Sequence, residues 1–586
     1  MRVDGQGPPS PDRPPEGARQ AVRRGLGFGL GYLLLALLFT WPAPLTATTR
    51  TLGLPGDALT NVWNVWWTHQ ALFVRGQSPF HTDLLLHPEG ADLWLHTLSP
   101  LNAVAGACLV PLLPLALIYD LLVWLHLVLA GLAAAALSRR VSGSEPGAFV
   151  AGAVFMLSAW HAAHAAHLNL VSTAPLPLAL LALLRGAGSE RPLRWGLLAA
   201  GAIAAAGLLD AYLFMFAGLA AATAVAALAV ERGARTRRHA LAGAAALLLP
   251  LLVLAPLLLR MVRAAAVPQQ NTHDPLAFSA DLLGFLIPGP ISAWGAPFAP
   301  VWSRFSGNEL ELATFVGPLT LALGLFGLWR GVAAQPARRV LVALLLLGFL
   351  LSLGPTLQVL GVRTGVPGPY RLLVTLFPPL SMAGVPVRFA LLCDLSLAVL
   401  AGAGVARLAA GRPRRAALGL AALAVGLRLV EQLPVSPFPT LGTGVPGLYA
   451  HVARDERAVA VLDLTTLEDQ ALPLLHQTVH RKPIVGGYLA RTPRSYIQTT
   501  LRTPVVRQLV LRTRIDDLRA RATPAQVAAG IELAPAELAA ERNDSHLRRL
   551  GVAWVVTAND PARELCEALG YERVAEEGPR TLFRVF

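Results

Sequence analysis

The stretch Arg23–Thr49, RRGLGFGLGYLLLALLFTWPAPLTATT, decides how the rest of the chain is read. Two arginines stand before an apolar run, and the run leaves through prolines and threonines without a small-x-small cleavage site. This is the pattern of a membrane anchor and not of a removable signal peptide. If the arginines stay in the cytoplasm, the residues after the run lie on the other side of a bilayer.

Working outward, similar apolar runs recur to about residue 432, and arginines cluster in every second connection between them. Spans placed at about 25–43, 116–138, 147–160, 170–186, 194–209, 211–230, 238–263, 311–330, 338–357, 386–410 and 414–432 satisfy this alternation, which makes about eleven transmembrane helices. Residues 99–115 are apolar but broken by Pro111 and Pro114, and are expected to be re-entrant or interfacial. The totals agree: 54% of the 586 residues are hydrophobic and only 14% are charged, too apolar for an ordinary soluble multidomain protein. The formal charge of +14 is absorbed by topology, so no nucleic-acid partner is implied. Cys108, Cys393 and Cys566 have no metal or redox spacing.

The fold class expected is mainly α, a polytopic membrane helical bundle with a small C-terminal α/β domain. Residues 1–24 read as a disordered cytoplasmic tail, 25–433 as the membrane domain with a long first outside loop at 44–98, and 434–445 as a linker. Residues 446–586 read as an extracytoplasmic α/β domain. Its short strands are AVAVLDL, KPIVGGYL, GVAWVVTAND and TLFRVF, with a helix in PAQVAAGIELAPAELAAE. No nucleophile with a base is evident there, and Asp463, His476 and His480 read as ordinary polar residues. Gly486-Gly487-Tyr488 reads as a turn. The protein is expected in a cell inner or plasma membrane, with its N-terminus cytoplasmic and its C-terminal domain outside.

Chemistry concentrates in the first outside loop. GDALTNVWNVWWTHQALF (56–73) should form a helix opened by Gly56-Asp57, with Asp57, Asn61 and Asn64 on one face and Trp63, Trp66 and Trp67 on the other. Lying flat at the interface, it would sink its tryptophans among lipid headgroups and aim the polar face at a cavity. The plainer reading makes Asp57 a helix cap and the tryptophans a membrane belt. SPFHTDLLLHPEGADLWLHTLSP (78–100) adds Asp83, His87 and His96. Asp57, Asp83 and His87 are the candidate ligands if a divalent metal ion is used, although their spacing matches no closed zinc pattern. HAAHAAHLN places His164 and His167 on one stripe in the second outside loop, and Asp210 stands at the next outside hairpin. Arg304 belongs to a third large loop. Arg388, in VPVRFA, has no acid close in sequence, so an anionic partner such as a lipid phosphate suits it.

This layout, with GDALTNVWNVWW and the HPEG turn as its sharpest element, resembles the GT-C superfamily of membrane glycosyltransferases, which includes protein O-mannosyltransferases and aminoarabinose transferases. The resemblance covers about residues 25–432. It implies an enzyme that transfers a sugar from a polyprenyl-phosphate donor to a glycan, lipid or protein acceptor on the extracytoplasmic side. By position Asp57 takes the catalytic role, as general base or metal-linked activator, and Arg388 would hold the donor phosphate. The remaining candidates named above would line the site. Several members carry paired acids in this loop, whereas here Asn61 follows Asp57 and the next acid is Asp83, which leaves metal dependence open. Two other readings stand beside it: a transporter or flippase of polyprenyl-linked sugars, and a non-catalytic membrane subunit.

Overall fold

A computed structural model describes residues 16–54, 56–230, 237–269, 273–332, 335–376, 384–465, 471–513 and 535–586. Leu- and Ala-rich runs favour helix, and their ends are marked by the residues that stop or cap one. The helix α1 (Glu16–Phe39) carries Leu26, Leu30, Leu34 and Leu38 outward along one stripe, all exposed, as a face turned to lipid would be. Of the tail expected over 1–24, residues 16–24 are instead the first turns of this helix, and 1–15 lie outside the described residues.

The chain continues through α2 (Asp57–His69), α3 (Pro100–Ala107) and α4 (Leu115–Ser142). The last of these starts after Pro114 and ends at Gly143, whose φ of 69° closes the helix by returning its N–H to the Arg139 carbonyl. Then come α5 (Glu145–Met156), capped by the Ser144 hydroxyl on the Gly147 N–H, α6 (Ala159–Ala163), α7 (Leu168–Val171) and α8 (Pro175–Gly186). They are followed by α9 (Pro192–Leu209), α10 (Ala211–Ala229), α11 (Arg237–Val253) and α12 (Ala255–Ala265). The break between the last two bends the chain by 59° just before Pro256, which cannot continue the ladder of helical hydrogen bonds.

Among the described residues six helices are long and apolar enough to cross a membrane, or eight if each of two bent pairs counts as one span. The chain is a multi-pass membrane protein. About eleven spans are expected from sequence; the helices Pro318–Phe326, Gln335–Ser352 and Arg414–Glu431 stand where three of them belong but are not among the six or eight. The segment expected to be re-entrant contains only the eight-residue α3, about 12 Å of helix and far too short to span. Small residues let the bundle close tightly. A Cβ on Gly147 would stand 2.3 Å from the Gly402 carbonyl, so α5 and the helix Ala390–Ala409 meet backbone to backbone there.

The C-terminal domain holds a four-stranded sheet in the order Ala460–Leu464, Val552–Thr557, Arg580–Arg584, Glu572–Glu577, with the first pair parallel and the others antiparallel. Of the helix expected over 524–541, residues 524–534 lie outside the described ones and Pro535–Asn543 is helical. Two backbone pairings tie this domain and the linker before it to the first loop. Arg50–Leu52 runs antiparallel to Thr440–Gly442, and the Leu86 and His87 amides donate to the Gly486 and Ile484 carbonyls at 2.9 and 3.1 Å. Between the domain and the bundle lies α2.

That placement corrects the interfacial reading of α2. From Ala58 to Thr68 every residue of the helix is buried in protein. Trp63 and Trp67 stack at 5.9 Å, and the Trp63 indole donates to Gln477 Oε1, in the helix Leu472–His480, at 2.7 Å. Trp63 thus ties α2 to the C-terminal domain, Trp67 donates to the Pro79 carbonyl within the first loop at 2.9 Å, and all three tryptophans are buried in protein and not among headgroups.

Candidate active site

Gly56, at φ 99°, turns the chain into α2 and leaves Asp57 at its first position, where the helix dipole favours a carboxylate. Gly53 is needed just before it: at φ 107° its missing Cβ would fall 2.5 Å from Ala166, so the loop packs directly on the α6–α7 connection. This close approach brings His167 to Asp57. Its Nε2 lies 2.9 Å from Oδ2, and the Asp57 side chain is 29% exposed. The Tyr488 hydroxyl stands 3.5 Å from Oδ1. Burial works to raise the Asp57 carboxyl, but the charge and hydrogen bond of His167, with Arg388 and His96 further off, hold it below the ordinary carboxylate value.

His96 is fixed from both sides. Nε2 lies 2.9 Å from Asn64 Oδ1, and Nδ1 accepts from the Ala490 amide at 3.3 Å. Since Nδ1 accepts, the proton belongs on Nε2 and the ring is neutral; burial depresses its pKa to about 4 against the opposing pull of Asp57. Asn64 in turn donates to the Thr97 carbonyl at 2.9 Å.

Asp57, His96, His167, Asp210 and Arg388 all line one cavity of about 560 Å3, together with Asn169, Glu311, Tyr488 and Arg491. Asp210 accepts from Asn169 Nδ2 at 2.6 Å and caps α10 through the amides of Tyr212 and Leu213. Arg388 lies 4.6 Å from the centre of the Tyr212 ring, and its Nε and Nη2 both donate to Glu311 Oε1. A lipid phosphate is the partner expected for Arg388 from sequence, where no acid stands near it; the folded chain brings Glu311 from 77 residues away. On the cavity wall His273 is held down to about 4 by burial and by the charges of Arg491 and Arg388. One side of the cavity is apolar, built from Leu254 at the break and Leu257, Leu258, Met261 and Val262 along α12.

The other candidates are elsewhere. Asn61 is buried and donates to the Asp57 carbonyl at 2.8 Å, so it braces the helix start without reaching the cavity. Asp83 pairs with Arg75 at 2.8 Å on the surface. His87 contacts the Leu550 carbonyl at 2.7 Å and belongs to the domain junction. His164 is buried with its ring 4.1 Å from Trp160 and 5.2 Å from His167, behind the wall. Arg304 is exposed and is not part of the lining. Thus Asp83 and His87 do not join Asp57, and among the described residues no group of three or more His, Cys, Asp or Glu side chains could hold a metal ion. The candidate metal set does not fit.

Sequence reasoning misses Tyr488, Ala490 and Arg491. They come from the C-terminal domain, where KPIVGGYL reads as a strand with a turn and carries no assigned site residue. The signal that could have found them is Gly486-Gly487, at φ 97° and 105°, a backbone conformation that frees the next residues from the sheet.

The family described as "Domain of unknown function (DUF6311)" matches residues 28–431, and the chain belongs to it. No curated protein matches in sequence. Among solved structures, the oligosaccharyltransferase AglB from Archaeoglobus fulgidus, in complex with an inhibitory peptide and a dolichol-phosphate, is similar over 91% of this chain and 69% of its own, at 11% identity and a TM-score of 0.47. ArnT from Cupriavidus metallidurans in the apo state is similar over 97% of this chain and 98% of its own, at 12% identity and a TM-score of 0.40. Likeness this loose leaves the activity to be argued from the cavity itself.

Proposed function

We propose that this member of the DUF6311 family is a GT-C-type membrane glycosyltransferase, moving a sugar from a polyprenyl-phosphate donor to a glycan, lipid or protein acceptor on the extracytoplasmic side. The observation that carries the reading is one cavity holding three unlike walls: a carboxylate partly open to it, two arginines, and an apolar face on a bent helix. A lipid-borne sugar phosphate has the matching three parts. Its chain suits the α12 face, its phosphate suits Arg388 and Arg491, and its sugar would lie near Asp57.

In this reading the acceptor hydroxyl or amine hydrogen-bonds to Asp57, which is ionised at neutral pH because His167 holds its charge. As the acceptor atom bonds to the anomeric carbon, its proton passes to Asp57, and the carbon–oxygen bond to phosphate breaks with its electron pair leaving on the phosphate. His167 positions the carboxylate through Oδ2, and the Tyr488 hydroxyl stands at Oδ1. Arg388, already sharing its charge with Glu311, has a fixed guanidinium and needs no reorganisation as phosphate charge grows.

The arginine-rich ends of α4, α8, α9 and α11 lie away from this cavity. By the positive-inside bias the cavity then opens to the extracytoplasmic side. The test is reconstitution of the purified chain with polyprenyl-phosphate sugars and an extract of acceptors. Radiolabel should pass to an acceptor with the native chain and not with Asp57→Asn; transfer by both, or by neither, would remove the assignment.

A further inference from the structure

At the ends of α8 to α11 opposite the active-site cavity there is a second, smaller cavity of about 290 Å3. The separation comes from the helices. Gly207, Leu209 and Ala211 line the first cavity, while Trp195 and Gly196 at the start of α9 and Leu228 and Ala229 at the end of α10 line the second. The 11 to 14 residues of α9 between these positions amount to roughly 17–21 Å of helix. The active-site carboxylate and arginines have no part in it.

Its inner wall is apolar and closely fitted. Leu183, Val225 and Leu228 face it, and Gly196 lets α9 touch α11, since a Cβ there would stand 2.4 Å from the Ala242 carbonyl. Its mouth is cationic. Arg237 lines it, and two guanidiniums lie over the Trp195 ring, with Arg185 Cζ 5.3 Å and Arg194 Cζ 5.9 Å from its centre. Over residues 185–194 and 237–243 the sequence carries Arg185, Arg191, Arg194, Arg237 and Arg238 against Glu190 alone. Leu193, Leu197 and Leu241 are exposed beside it, as lipid-facing residues at the edge of a bilayer would be.

We infer that this cavity binds an anionic phospholipid, with the phosphate on Arg185, Arg194 and Arg237 and part of an acyl chain between α8, α9, α10 and α11. Charge selects the headgroup. Arginines needed only to orient helices require neither a cavity nor two guanidiniums gathered over one tryptophan ring, whereas a basic pocket between spanning helices fits a negative headgroup. The volume is near the low end of the roughly 300–1,000 Å3 of small-ligand sites, so only a segment of one acyl chain enters and the rest stays in the bilayer.

The experiment uses the full chain purified in mild detergent, exchanged into vesicles or nanodiscs of phosphatidylglycerol and phosphatidylcholine, with the lipid retained after delipidation read by native mass spectrometry. Phosphatidylglycerol should be retained at least tenfold over phosphatidylcholine. Arg185→Gln, Arg194→Gln and Arg237→Gln together should abolish that preference, and Ala240→Trp, which fills the cavity and keeps every arginine, should lower total retention at least fivefold. Arg414→Gln with Arg415→Gln, which neutralises a different basic cluster, should change nothing. Equal retention of both lipids, equal loss from the Arg414 and Arg415 variant, or unchanged retention in Ala240→Trp would each overturn the inference. Inorganic phosphate added without lipid should not shift the melting temperature; a shift as large as that from phosphatidylglycerol would remove the acyl chain from the site.

Discussion

Among the described residues, two aspartate–histidine pairs of nearly equal length stand in opposite settings, apart from the exposed surface pair His81–Asp92. Asp57 and His167 meet at 2.9 Å with side chains 29% and 10% exposed, whereas Asp463 and His476 in the C-terminal domain meet at 2.8 Å with both 1% exposed. In the sealed pair the carboxylate is fully engaged by protein: Asp463 also accepts from the Tyr449 hydroxyl at 2.8 Å and from the Thr465 amide and hydroxyl. Burial pushes Asp463 up, yet His476 and these donors hold it below its usual range, as His167 does for Asp57. The chemistry of the pair is therefore the same in both places. What separates a site from a brace is whether the carboxylate keeps an oxygen facing space that a substrate can enter.

The largest effect that could break this comparison is at the open pair. Asp57→Asn should lower sugar transfer by about 100- to 10,000-fold, the usual weight of a general base, with the melting temperature unchanged within a few degrees; a variant keeping a tenth of the activity would show the pair to be only structural. At the sealed pair the loss moves from rate to stability. Asp463→Ala leaves buried donors unpaired and should cost roughly 3 kcal/mol, measured by denaturant unfolding followed through Trp554, with transfer per folded molecule unchanged.

A pH series sharpens the contrast. His96 has a folded pKa of about 4, below its unfolded value of about 6.5, so the stability it contributes is complete above 6.5 and is lost as pH falls toward 4, up to about 3 kcal/mol. Protonation would set a second N–H against the Ala490 amide. In melting curves from pH 7 to 4.5 the native chain should weaken across that window and His96→Gln should be flatter; parallel curves would mean that the ring is charged in the fold. The smallest effect belongs to the distant hydroxyl. Tyr488→Phe removes one long contact to Asp57 and should slow transfer by about three- to tenfold, read as a fall in kcat with little change in melting.

The membrane domain is legible in the sequence because length and apolarity are local properties, and α1, α4, α9 and α10 lie where those properties put them. The count of spans is less so, since a bend such as that before Pro256 divides one run into two helices whose packing, not composition, sets their path. Asp57, His96, His167, Asp210 and Arg388 stand out as polar residues in apolar surroundings, and the cavity gathers all five. Asp83 and His87 stand out equally, but find partners at Arg75 and Leu550. Nothing local separates the two outcomes. Glu311 and Tyr488 reach the site through contacts across 77 and 431 positions, a distance over which pattern and spacing carry no information.

The hydrogen bond between Tyr488 and Asp57 links an early segment of the chain to one made 431 residues later. Synthesis proceeds from the N-terminus, at about 5–20 residues per second, so for tens of seconds the carboxylate exists without the residues that close its far wall. A half-made chain thus carries an unfinished chamber, and the transfer proposed above would wait until the segment around Tyr488 has been made and has docked.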